Sequence, residues 1–238
     1  MAEQSKQQID LFNLAAWAYE RRKSLIGIAA VVAAVAIIFG LYSWRTNARE
    51  EAANVAFNAI KMPVPSTNRS PAEAKPFLKV ADDYPASSAA ARSLIVAGSI
   101  LFEAGKYAEA QAAFDKYLAS YREFHFTSAA LLGVAACLDA QGKTAEAIQR
   151  YETVAGRAQD YAMVPAKAAL ARLYVQQNKP ELALRQCVEL VQMGLQDSWA
   201  RDAQNAAQEI LAKHPELRQT LQAPAGAPAA QPPAAPRS

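Results

Sequence analysis

Histidine and cysteine are almost missing: His125, His214, Cys137 and Cys187 are the full complement of both. There is no CxxC pair, no multi-cysteine framework and no His/Cys/carboxylate spacing of the kind that holds a metal. No glycine-rich phosphate loop or nucleophile motif occurs either. The expectation is therefore no enzyme, no catalytic or metal residues, no cofactor and no small-molecule substrate. Glycine is also scarce, nine in 238 residues, and β-branched runs are few outside one segment. Sheet has little support, whereas the alanine that supplies much of the 52% hydrophobic content is the best helix former. An all-α protein is expected. A basic stripe with interleaved aromatics is lacking as well. The net charge of +3 divides into +1 over residues 1–44 and +2 over the rest, with both signs interspersed, which excludes a nucleic-acid footprint.

One long apolar run is present. Leu25 to Ser43, LIGIAAVVAAVAIIFGLYS, carries no charge over nineteen residues. As a helix it is roughly 28 Å long, close to the ~30 Å hydrocarbon core. Ten of its residues are Leu, Ile, Val or Phe, which together favour insertion by roughly 3 to 6 kcal/mol near the bilayer centre. Arg21, Arg22 and Lys23 precede it, and Tyr42 and Trp44 close it at interface depth. The basic cluster sets the topology: residues 1–24 cytoplasmic, 25–43 a transmembrane helix, the remainder outside, although Arg45 and Arg49 reduce the contrast. A cleaved signal peptide is the alternative, but its apolar region is shorter, about 7–15 residues, and the small-residue site at Thr46 and Ala48 is poor. Ile9, Phe12, Ala16 and Tyr19 form one face of a short helix ahead of the span. Two readings of that face stand: a helix along the inner leaflet, or a plain helical cytoplasmic tail.

Beyond the span the chain repeats itself. Arg92–Arg122, Ala129–Gln159 and Pro165–Leu195 align without gaps at offsets of 37 and 36 residues. Each carries a helix, a turn (EAGKYAEA, AQGKTAEA, QQNKPELA) and a second helix. Gly105, Gly142 and Asn178 suit a left-handed cap in those turns. Small residues recur where paired helices cross: Ala97 or Gly98, Ala135 and Ala171 in the first helices, Ala110, Ala147 and Ala183 in the second. This pattern resembles the tetratricopeptide repeat, TPR, whose period is about 34. It departs in three ways: Lys167 stands for an aromatic, the terminal proline is missing, and each unit is two or three residues longer. A degenerate unit precedes these, with Ala48–Ile60 as its first helix and AKPFLKVADDYP as its second. Asp197–Ala212 reads as a capping helix, which a solenoid needs at its end. The repeat domain is thus expected over 44–221. From 222 to 238 the chain is rich in proline and alanine and reads as a disordered, passive tail. The fold class is a single N-terminal transmembrane helix followed by a TPR-like α-solenoid.

The TPR resemblance implies that first helices line a concave face. The inner positions are then Arg92, Ile95, Ser99, Phe102 and Glu103, then Leu132, Ala136 and Asp139, then Ala168, Arg172, Val175 and Gln176. Apolar residues with single charges among them suit an extended peptide. The bland alternative is a solvated inner face with Ile95 and Phe102 covered by the next helix. Both stay open. Cys137 and Cys187 fall on helix faces turned to neighbours, where core packing is expected over an inter-repeat disulfide. Asp82–Asp83 and Glu50–Glu51 read as solvated helix ends.

The order of a polar N-tail, an RRK cluster, one span ending in YSWR, the helix AREEAANVAFNAI and divergent repeats resembles the ancillary SecYEG translocon subunit family of bacterial inner membranes. The match is best over residues 17–60. The proline-rich tail and the 62–71 insert depart from it. The resemblance implies a periplasmic repeat domain beside the export channel, partnered by the translocon, periplasmic chaperones or client polypeptides, with no catalytic residues. A cell-envelope scaffold in division or outer-membrane biogenesis would use the same architecture.

Overall fold

A computed structural model describes residues 22–62, 69–121, 125–157, 160–194 and 198–218. Residues 1–21, with the N-terminal amphipathic face and Arg21, lie outside this set, as do 219–238 and most of the 62–71 insert. All regular structure among the described residues is helical. Helix α1 (Arg22–Asn58) is followed by a 3₁₀ turn (Pro71–Ala74) and α2 (Lys75–Asp83). Three helix pairs come next: α3 (Ser88–Glu103) with α4 (Tyr107–Ser120), α5 (Thr127–Ala140) with α6 (Thr144–Ala155), and α7 (Met163–Gln176) with α8 (Pro180–Gln192). Helix α9 (Ser198–Lys213) and a 3₁₀ turn (Pro215–Leu217) end the described chain. From α2 onward each helix packs chiefly on the next in sequence, the quasi-one-dimensional order of a solenoid, while α1 packs more on α3 than on α2.

The turns inside the three pairs are alike. Gly105, Gly142 and Asn178 have φ of 72°, 75° and 54°. After each, a lysine N–H reaches back five residues, Lys106 to Leu101, Lys143 to Leu138 and Lys179 to Tyr174, at 2.8–2.9 Å. The capping residue itself donates to the carbonyl three back, as Gly105 does to Phe102 at 3.0 Å. These paired bonds define a Schellman cap, and they satisfy carbonyls the helix end would otherwise leave open. Where the helices cross, Ala97, Ala110, Ala135, Ala147 and Ala183 are fully buried and Ala171 nearly so. One crossing is tighter still. A Cβ on Gly98 or on Gly133 would lie 2.6 Å from the Phe114 ring, whose two edges face α3 and α5 at these glycines and leave no room for a side chain at either. Helix-second tyrosines tie the loops: Tyr117 Oη accepts from Phe126 N–H at 3.1 Å and Tyr121 Oη from Ala86 N–H at 3.0 Å.

Lys167, standing where the repeat pattern has an aromatic, reaches the Glu189 carboxylate of α8, with only 13% of its side chain exposed. Its alkyl stem fills the space and its ammonium is paired.

Helix α1 runs unbroken from the apolar stretch into the solenoid. Within it, Ala30–Asn58 is long and apolar enough to cross a membrane by length and composition. Val31, Val35, Ile38 and Phe39 are 61–70% exposed, so large apolar side chains point outward on every side. The end of α1 behaves differently. Ala53 is fully buried, and Phe57 packs edge-on against Phe77 of α2 with ring centroids 5.9 Å apart. This is the degenerate first unit expected from Ala48–Ile60 and AKPFLKVADDYP.

Glu50 corrects one expectation. It is not a solvated helix end. Its carboxylate accepts the backbone N–H of Ser88 on both oxygens at 3.1 Å and also the Ser88 hydroxyl. A carboxylate there meets the positive end of α3, whose N-cap Ser87 already takes Ala90 N–H. Asp82 and Asp83 are exposed as expected, paired with Lys116 and Lys79.

Candidate protein-binding face

The first helices of successive units, α3, α5 and α7, carry the proposed inner positions, and α9 follows them. Their small residues let side chains from neighbouring helices meet over a shallow floor. The result is two separate clefts.

The N-terminal cleft, about 290 Å³, lies between α3 and α5. Ile95, Ser99, Phe102 and Glu103 form one wall, Leu132 and Ala136 the other, with Phe114 and Gly133 at the floor and Tyr161 at one end. Ile95, Phe102 and Leu132 are half-buried rather than covered, and Ser99 is exposed. Phe102 leans on Tyr107 with ring centroids 5.3 Å apart. The C-terminal cleft, about 460 Å³, lies between α7 and α9 over α8. Ala168, Arg172, Val175 and Gln176 line it together with Cys187, Leu190, Trp199, Asp202 and Ile210. Val175 is 48% and Trp199 41% exposed, high values for residues of their bulk.

Of the twelve inner positions singled out in sequence, six meet in the N-terminal cleft and four in the C-terminal one. The other two are engaged elsewhere. Arg92 turns back to α1: its guanidinium stacks over Phe57 at 4.6 Å from the ring centroid and donates to Asn54 Oδ1. Asp139 pairs with Arg172 across the α5–α7 gap. That pair neutralises both charges where the two clefts approach each other, leaving a face that is chiefly apolar.

The buried thiols and phenols behind this face are held in their neutral forms. Burial pushes the Cys137 thiol up to about 12, with Asp115 adding to the effect, and the Cys187 thiol to about 11. Neither is paired in a disulfide. Burial likewise raises Tyr151 and Tyr174 to about 12, Tyr174 further through its 2.6 Å hydrogen bond to Glu152. Among the described residues no three His, Cys, Asp or Glu side chains gather where they could hold a metal ion.

The sequence had pointed to neither Tyr161 nor the α9 wall. A signal existed for the second: Trp199, Ala203, Ala206 and Ile210 recur at spacings of four, three and four, one apolar helix face.

Stacked helix pairs, identical Schellman turns and an inner face of small and apolar residues define an α-solenoid of the protein-interaction class. The chain belongs to the tetratricopeptide repeat-like domain family, whose sequence profile matches residues 16–163. The match begins ahead of α1 and takes in the whole apolar helix. No curated protein matches the chain. Among solved structures, the nearly identical TPR-like repeats of a Podosopora anserina protein described as a kinesin light chain superpose with a TM-score of 0.50. They share 14% identity over 75% of this chain and 90% of that one. A single-substitution form of the same repeats gives the same values. That likeness is one of fold, and TPR-like repeats generally serve as non-catalytic scaffolds that bind other proteins.

Proposed function

We propose that this protein is a non-catalytic adaptor anchored in a bacterial inner membrane, with its N-terminus cytoplasmic and its repeat domain in the periplasm. The observation that carries the reading is α1: one helix, apolar on every side over its first half and packed into the solenoid over its last turns. The length of the apolar run and its flanks favour a retained span over a cleaved leader. Residues 25–43 span the bilayer, and Arg22 and Lys23, exposed at the start of α1, with Arg21 before them, hold that end on the cytoplasmic side. The two clefts take extended segments of protein partners, apolar side chains entering between first helices. The likeness of residues 17–60 to the ancillary SecYEG translocon subunit family supports a partner at the Sec translocon and among periplasmic chaperones.

The test is crosslinking and affinity purification from gently solubilised membranes, read by mass spectrometry. The full chain is compared with one whose residues 25–43 are replaced by an unrelated span. Recovery of translocon and chaperone subunits is expected, and their loss on span replacement would put that contact in the bilayer. Recovery of division or outer-membrane assembly components instead would overturn the translocon assignment in favour of an envelope scaffold.

A further inference from the structure

The C-terminal cleft has a wall without the support that the other units enjoy. Every earlier first helix is followed by a second helix that packs against it. Helix α9 is followed only by the Pro215–Leu217 turn, whose Leu217 is buried. Trp199 and Val175 consequently border the cleft with 41% and 48% of their surface open. The chain then leaves at Arg218, next to the Ile210 end of the cleft, with twenty residues to follow.

We propose that the C-terminal cleft is the docking groove for the chain's own Pro/Ala-rich segment, with Pro232–Arg237 lying along α9 from the Ile210 end to the Trp199 end. Three observations carry this. The first is length. The cleft face of α9 between Ile210 and Trp199 is about 17 Å long at 1.5 Å per residue. Pro232 to Arg237, as PPAAPR in the polyproline conformation, covers about 16 Å at 3.1 Å per residue. The thirteen residues from Gln219 to Gln231 are more than enough to turn the chain back. The second is chemistry. Proline-rich segments dock on shallow apolar surfaces that present an aromatic side chain, and they lose little entropy in doing so. Trp199 supplies the aromatic and the alanines of α7 and α9 leave room for proline rings. The third is charge. Arg237 is the one ionised side chain after Arg218. Asp202, at the Trp199 end, makes no ion pair among the described residues, whereas Arg172 is already held by Asp139. In the proposed direction of run Arg237 reaches Asp202. A short tether gives an effective concentration in the millimolar range, enough for a weak contact to hold and still yield to a competing partner. The inference stands apart from the anchor and from the identity of any partner.

The experiment uses the full chain in detergent with Trp17→Phe and Trp44→Phe, so that Trp199 is the sole tryptophan. Acrylamide quenching is compared with that of the same chain ending at Arg218. Removal of the tail is expected to raise the quenching constant about twofold, as a mostly occupied groove opens. Arg237→Glu is expected to raise it part of the way, and Asp202→Arg in the same chain to bring it back. Equal quenching with and without residues 219–238, at unchanged helical content, would overturn the proposal and leave the cleft to a partner. Equal quenching in the Arg237→Glu chain would remove the stated register.

Discussion

The Phe114 ring offers a sharp test of how the solenoid is packed. Alanine at Gly133 puts a Cβ 2.6 Å from the ring where ordinary contact begins near 3.4 Å, so the ring must retreat by about 0.8 Å. It has nowhere to go: the same displacement carries it toward Gly98, whose own Cβ position is 2.6 Å from the opposite edge of the ring. Overpacking of this kind costs about 1–3 kcal/mol. The glycine-to-alanine exchange in a helix returns up to about 1 kcal/mol of propensity. Gly133→Ala should therefore cost the domain up to about 2 kcal/mol, against the helix-propensity trend. Phe114→Leu alone leaves a cavity and costs about 1–2 kcal/mol. In the double variant the smaller side chain makes room for the new methyl group, so the two costs should partly cancel, with a coupling of at least about 1 kcal/mol. The assay is thermal and urea unfolding of the four chains in one detergent, followed by helical circular dichroism. Additive costs, agreeing within about 0.4 kcal/mol, would refute the picture of a ring held between two glycines.

Three further outcomes follow from contacts already described. Glu50→Ala removes the carboxylate at the start of α3 and should lower stability by about 1 kcal/mol, read as a shift in the urea midpoint; Glu51→Ala, with its exposed side chain, should not. Glu189→Gln strands the largely buried Lys167 ammonium and should cost about 1–3 kcal/mol, while Lys167→Met with Glu189→Leu should be near neutral in the same unfolding assay. At alkaline pH the fold should weaken. Cys137, Cys187, Tyr151 and Tyr174 keep their protons to about 11–12 when folded but release them near 9–10 when unfolded. The unfolded chain then binds fewer protons, so stability is complete below about pH 9 and falls as pH rises through about 11 to 12. Melting temperatures between about pH 8 and 11 check this, and a flat profile would contradict it.

How much of this was legible in the chain depends on the distance over which each feature acts. The turns were, because Gly105, Gly142 and Asn178 are local demands of backbone geometry and recur at a fixed offset. The crossing alanines were, since close helix approach leaves a small residue at the same place in each unit. The engagement of Arg92 by Asn54 and Phe57 was not, as it spans 38 residues and depends on how α1 docks. Glu50 on Ser88 escaped notice for the same reason. The demand on Gly133 comes from Phe114 on another helix, so no local pattern marks it. The α9 wall was hidden by its reading as a mere cap, although its apolar spacing was there to count. Residues 1–24 and 222–238 carried expectations that fall wholly or chiefly outside the described chain.

The continuity of α1 has a mechanical meaning. No glycine–proline joint separates the apolar stretch from the last turns gripped by Ala53 and Phe57, and only about 10 Å of helix lies between Ser43 and Glu50. Where the first half sits in a bilayer, the solenoid is a cantilever built into it. It does not sweep out a volume on a tether. Its clefts open in a direction fixed by the tilt of a single helix, and any neighbour in the membrane that leans on that helix re-aims the whole array.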